Sequence, residues 1–201
     1  MDIISPLIFL LFLTLANTNT DYTADWWTWV MDNNQTNLLL DKTGDDIMKY
    51  QPDSDIYFLT GAYGSNQTRN ITIPADNNKP ILIPVLNGFA GCETCNLFQR
   101  VVRMTDLASD INNAVSMEAQ LDGKDIANQI QRIKSNVFEL TIKEHNPFLY
   151  LKDWIGKTIP VIADGYWVVL DPLQPGEHKL MTHGIDKNGY SSEVRYNIQV
   201  N

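Results

Sequence analysis

From Val194 to Val200 the chain alternates without a break: Val194, Tyr196, Ile198 and Val200 are apolar, and Arg195, Asn197 and Gln199 between them are polar. Successive side chains of a strand point to opposite faces, so a period of two fits a strand with one buried and one wet face. A second strand is expected over Glu177–His183, the pair being joined around Asn188-Gly189, a dipeptide suited to a tight turn. The signature recurs upstream. Met117, Ala119 and Leu121 alternate with Glu118 and Gln120 before an Asp122-Gly123 hairpin turn, and Phe138, Leu140 and Ile142 alternate with Glu139 and Thr141. Asp55–Thr60 and Arg69–Ile73 read as strands around a Gly-Ala-Tyr-Gly turn. Pro80–Leu86 and Gly165–Leu170 are continuous apolar runs, as in strands buried on both faces. Pro84 has no backbone N–H to give to a ladder, so an edge or bulge is expected there.

Two stretches are helical instead. Leu97, Val101, Met104, Ala108, Ile111 and Val115 recur at helical spacing and predict one long helix with a single apolar stripe, opened by an Asn96/Gln99 capping box. A shorter helix is expected over Thr23–Asp32, capped by Thr23, with Asp25 in its first turn and Trp26, Trp29 and Val30 on one face. Asn33–Asp55 reads as a long polar surface loop holding Leu38–Leu40. Many short strands and one long helix predict a mainly β chain, a β-sandwich or jelly-roll-like single domain. The alternative is an α+β thioredoxin-like fold.

The N-terminal run Ile3–Leu15 is almost wholly apolar. As a helix it would reach about 20 Å, short of the roughly 30 Å of bilayer hydrocarbon. Such a run at the extreme N-terminus reads as the core of a signal peptide over Met1–Ala16, cut before Asn17, although Asp2 stands where a basic residue is usual. The remaining residues, 17–201, have the size of one secreted β-rich domain. Its location is then secreted or at the cell surface, where Asn34, Asn66 and Asn70, each opening an Asn-x-Thr sequon, are glycosylation candidates in surface loops. A formal net charge of −9 opposes nucleic acid and anionic membrane as partners, because polyanions are repelled.

Cys92-Glu93-Thr94-Cys95 is the sharpest local feature. A CxxC between a buried strand and a helix N-terminus, where the helix dipole lowers thiol pKa, is how a thioredoxin-like redox site is built. Thr158-Ile159-Pro160-Val161 resembles the Ile-Pro loop that faces such a site, but Gly91 stands in place of the usual Trp. A plain disulfide, natural in an oxidising compartment, is the first expectation, with a redox pair and a metal site as alternatives. His178 and His183 are five apart on one expected strand and point to opposite faces, so no metal ligand set is assigned. The acidic loops Asp41–Asp46 and Asp53–Asp55 lack the spacing of a calcium loop. No cofactor motif is present, and no Gly-x-Ser-x-Gly elbow, so no catalytic residue is assigned. A carboxylate pair such as Asp164 and Glu139 would serve a glycan-acting hydrolase if the fold joined them. The tryptophans offer another chemistry. Trp27, Trp29, Tyr166 and Trp167 are candidates for a platform that stacks on sugar rings, with Trp27 the best of them because it lies off the stripe of Trp26 and Trp29.

Several stretches taken together resemble a family of uncharacterised secreted microbial β-domain proteins. They are Trp26-Trp27-x-Trp29, Leu39-Leu40-Asp41-x-Thr43-Gly44, Tyr57-Phe58-Leu59-x-Gly61, Ile73-Pro74 leading to Ile83–Asn87, and Asp164–Trp167 followed by Pro172-Leu173-x-Pro175-Gly176-x-His178. The resemblance implies a secreted β-rich domain and carries no activity. These readings rank a non-catalytic extracellular or surface binding module first, with glycan as the first ligand class. A secreted thiol-disulfide oxidoreductase using Cys92 and Cys95 comes next, then the hydrolase.

Overall fold

A computed structural model describes residues 21–76, 78–146 and 148–201. The expected signal peptide and its cleavage point lie outside the described residues. Among the described residues, ten strands form two five-stranded sheets: β1 Tyr57–Phe58, β2 Asn66–Ile73, β3 Ile81–Gly91, β4 Ala114–Leu121, β5 Lys124–Asp125, β6 Ile130–Lys134, β7 Phe138–Thr141, β8 Thr158–Leu170, β9 Gly176–Asp186 and β10 Ser191–Val200. The helices are α1 Tyr22–Met31, α2 Asp45–Lys49 and α3 Leu97–Asn112. The chain is mainly β, as its alternation predicts.

The first sheet runs β1-β3-β8, with β6 and β7 side by side on the far edge of β8. The second runs β2-β10-β9-β4-β5. Most pairs are antiparallel, but β1–β3 and β2–β10 are parallel. Alternation dictates the burial of β10: Val194, Tyr196, Ile198 and Val200 are buried and face the other sheet. The sheets meet at β3 and β9. A Cβ on Gly184 would lie 2.4 Å from the Val85 carbonyl oxygen, so only glycine permits this approach, and Thr182 Oγ1 donates to Pro84 O across it. The β3–β8 register slips between Pro84 and Leu86, the bulge that Pro84 predicts.

Four local expectations are corrected. Helix α1 is capped by Asp21, whose carboxylate accepts from Ala24 N, while Thr23 is buried and donates to that same carboxylate. Helix α3 stops at Asn112, shorter than expected, and Ala114 and Val115 already belong to β4. Only its second half meets the sheet, through Leu107 and Ile111 against Ile162, leaving Phe98, Val101 and Val102 exposed. Residues 33–55 are no surface loop: Leu38, Leu39 and Ile47 are buried, carried by a 3-10 turn at Leu38–Leu40 and by α2. Thr158–Val161 is the start of β8, paired with β7. The two mixed sheets differ from the βαβ-based thioredoxin arrangement.

Among the described residues, no helix is long and apolar enough to cross a membrane.

Candidate functional site

A cleft of about 280 Å³ opens where α1, β3, α3 and the β9–β10 turn converge. Its position follows from the length of β1, which pairs only with Ile81 and Leu82. Beyond them β3 has a strand partner on one side alone, and the chain on the other side is turn and helix. Trp27 of α1 and Phe89 of β3 meet edge to face at 4.7 Å, and Phe148 packs on both, at 6.2 and 5.7 Å. Tyr63, from the turn after β1, continues the wall at 5.2 Å from Phe148, and Tyr190 follows at 6.3 Å from Tyr63. With Trp26, which also borders the cleft, six rings from five parts of the chain thus line one hollow. Leu86, Leu107 and Ile111 add aliphatic surface.

The polar groups are few and unevenly placed. Trp27 Nε1 and Asn87 Nδ2 are buried and have no hydrogen-bond partner in the protein. A buried donor without an acceptor costs about 1–3 kcal/mol, so two in one small cleft call for an explanation. Trp167 Nε1 is a third such donor, but Trp167 lies in the core beside Trp26, outside the cleft. Asp110 and Asp186 bring carboxylates to the cleft. Asp186 Oδ1 accepts from the backbone N–H groups of Asn188 and Tyr190, which fixes the β9–β10 turn. Ser192 Oγ is committed to Ala62, accepting from its N–H and donating to its carbonyl. Burial pushes the Tyr190 phenol above its ordinary pKa, so it remains protonated in the physiological range.

Behind the wall stands Arg69, a residue that the sequence reading passed over. It is fully buried. Its guanidinium donates to the carbonyls of Asp41, Leu39, Thr60 and Gly61, to Gln67 Oε1 and Thr60 Oγ1, and to the Tyr196 hydroxyl at 2.8 Å. Leu39 and Gly61 line the cleft, so Arg69 positions two of its wall segments from behind. Asp41 braces the same region. Burial pushes its carboxyl up, but N–H groups of Ile47, Gly44 and Thr43 and the charge of Arg69 outweigh this and hold it below the ordinary value. A carboxylate turned inward onto amides is not open to a cation, which removes Asp41 from any calcium reading.

The four aromatic candidates are not brought together. Trp27 is 3% exposed and lines the cleft. Trp29 lies beside a separate hollow of about 560 Å³, rimmed by Asp25, Asp32 and Asp53, with its indole N–H held by Tyr50 O. Tyr166 sits under α3, with the Arg132 guanidinium 6.0 Å from its ring centre. Trp167 is fully buried in the core. The platform of four is therefore corrected to a cleft that keeps only Trp27.

The other candidates are equally dispersed. Asp164, 1% exposed, is held in a two-pronged pair by Arg132 at 2.9 and 2.7 Å, while Glu139 is exposed on β7 opposite Pro160. They form no acid–base couple. Cys92 and Cys95 form the expected disulfide between β3 and α3, and Cys92 borders a hollow with Arg100, Arg103 and Pro160. His178 pairs with Asp122 and His183 with Ser191, on different partners. Ser191 Oγ lies 3.2 Å from His183 Nε2, but Glu118 Oε1 is 3.8 Å from Nδ1, too far to orient the imidazole by a hydrogen bond. Asn34 is exposed in a loop; Asn66 and Asn70 are exposed on strand β2 rather than in loops.

No family model, curated protein or solved structure matches the chain.

Proposed function

We propose that this protein is an extracellular or cell-surface binding domain whose ligand site is the aromatic cleft, with a glycan residue as the ligand class it takes first. The observation that carries this reading is the cleft's make-up: six aromatic rings together with two buried donors, Trp27 Nε1 and Asn87 Nδ2, that no protein group satisfies. A sugar ring offers both things such a site lacks, an apolar C–H face for the rings and oxygen acceptors for the donors. Hydroxyls at the other side of the sugar would donate to Asp110 and Asp186. The volume is near the lower limit of small-ligand pockets, roughly 300 Å³, which suits one ring rather than a long chain.

Export is part of the proposal. The signal-like N-terminus, the resemblance to secreted β-domain proteins and the Cys92–Cys95 disulfide all support it. Glycosylation at Asn34, Asn66 and Asn70 is compatible with it, because all three side chains face solvent.

The test is an oligosaccharide array followed by calorimetry on the protein and on Tyr63→Ala and Tyr190→Ala. Both rings are over a third exposed, so their removal leaves the core intact. Each variant is expected to bind about tenfold more weakly, the value of one ring contact. Array binding that neither variant changes would place the ligand elsewhere on the molecule.

A further inference from the structure

We infer that the floor of the cleft selects an uncharged carbonyl, so that the sugar it prefers carries an acetamido group. This rests on the glycan reading above and narrows it. The two unpartnered atoms at the cleft are both donors: the indole N–H of Trp27 is donor only, and Nδ2 of Asn87 is the donor end of its amide. A hydroxyl placed against two donors satisfies them, but it also carries a proton that needs an acceptor of its own. A carbonyl oxygen has two lone pairs and no proton, so it satisfies a donor without creating a new unmet group.

What surrounds the donors points the same way. Trp27, Phe89 and Phe148 form a nest of mutually touching rings, a place for a methyl group and a poor one for a hydroxyl. An acetamido group has this pattern, a carbonyl oxygen beside a methyl. Its N–H and the sugar's hydroxyls then face the carboxylates of Asp110 and Asp186. The same carboxylates, on a chain of net charge −9, disfavour uronic, sialic and sulfated sugars, which would answer the two donors equally well if charge were ignored.

Calorimetry with two probes separates the possibilities. The N-acetylglucosamine trimer and the glucose trimer used are both β-1,4-linked and differ only at C2, acetamido against hydroxyl. The protein is expected to bind the acetamido trimer at least about tenfold more tightly. Trp27→Phe, which keeps a ring and removes the N–H, is expected to erase most of that preference, and Asn87→Asp, which puts a negative charge on the floor, to abolish it. Because Trp27 is buried, each variant is first checked by its thermal unfolding. The indole N–H resonance of Trp27 in the unaltered protein is followed as well, and it is expected to shift with the acetamido trimer more than with the glucose trimer. Equal affinity for the two trimers, or a preference that survives in both folded variants, overturns the carbonyl assignment and leaves glycan binding standing. Binding of another glycan but of neither trimer also overturns the carbonyl assignment alone, and binding of no glycan overturns both.

Discussion

At the residue scale, the side chain that organises the site is Arg69, and its partners explain why it is tolerated in the core. A buried guanidinium is costly unless its donors are met, and here carbonyls, a hydroxyl pair and an amide meet them. Its ring contact with Tyr196, 5.6 Å from guanidinium to ring centre, ties β2 to β10 on the buried side of their parallel pair. Arg69→Met removes the charge but strands the acceptors that it serves. The expected loss is about 3–5 kcal/mol in urea unfolding; a loss under about 1 kcal/mol would mean that the guanidinium is not the hub described. In the sequence Arg69 stands where alternation asks for an apolar residue on β2, between exposed Thr68 and Asn70 and followed by buried Ile71 and Ile73. A charged residue in phase with a buried face is the signal that could have found it.

At the element scale, the hairpin of β4 and β5 is held to the sheet by a pair that titrates. Its turn places Asp122 and Gly123 in the left-handed region, φ 53° and 74°, as Asp-Gly favours. The Asp122 carboxylate then accepts from the Lys179 N–H and pairs with His178 Nδ1 at 2.8 Å. The hydrogen bond to Asp122 holds His178 above its ordinary 6.5, and the one to His178 holds Asp122 below its ordinary 3.8. The His178 contribution is therefore complete below pH 6.5 and disappears as pH rises through its raised value. The Asp122 contribution is present above pH 3.8 and disappears as pH falls through its lowered value. Stability is expected to fall as pH rises from 6.5 through the raised His178 value in the protein and to fall less in His178→Gln, measured by thermal melts across that range. Parallel pH profiles would show that the pair contributes nothing. Because Asp122 is well exposed, solvent screens the pair and the effect is small.

Elements were legible where one period dominated. Strand β10, the β9–β10 turn, the Pro84 bulge and the Asn96 capping box each follow from a few adjacent residues. Helix α3 was overextended because Val115 continues the spacing of a helix although it belongs to a strand, exposed on β4. Residues 33–55 misled because their polar side chains turn inward to the backbone: Asp41, Asn37 and Asn33 cap and brace short turns that bury Leu38, Leu39 and Ile47. Polar composition alone cannot distinguish such a segment from a wet loop.

At the scale of the whole molecule, the cleft is a product of topology. Two sheets touch at Gly184 and Val85, β1 is too short to cover the rest of β3, and α1 and α3 approach from either side. Its aromatic residues stand at positions 26, 27, 63, 89, 148 and 190, and beyond the adjacent pair no spacing rule connects them. That is why Trp27 could be singled out from its helix phase while Tyr63, Phe89, Phe148 and Tyr190 could not, and why Trp167, equally aromatic, belongs to the core. The most direct measurement of the central claim is the set of indole N–H resonances of the labelled protein, titrated with an oligosaccharide series. A saturable shift at Trp27, with Trp154 and the core indole of Trp167 little changed, is the predicted result. Resonances that stay fixed throughout, or that move at Trp154 and not at Trp27, would contradict the cleft as the binding site.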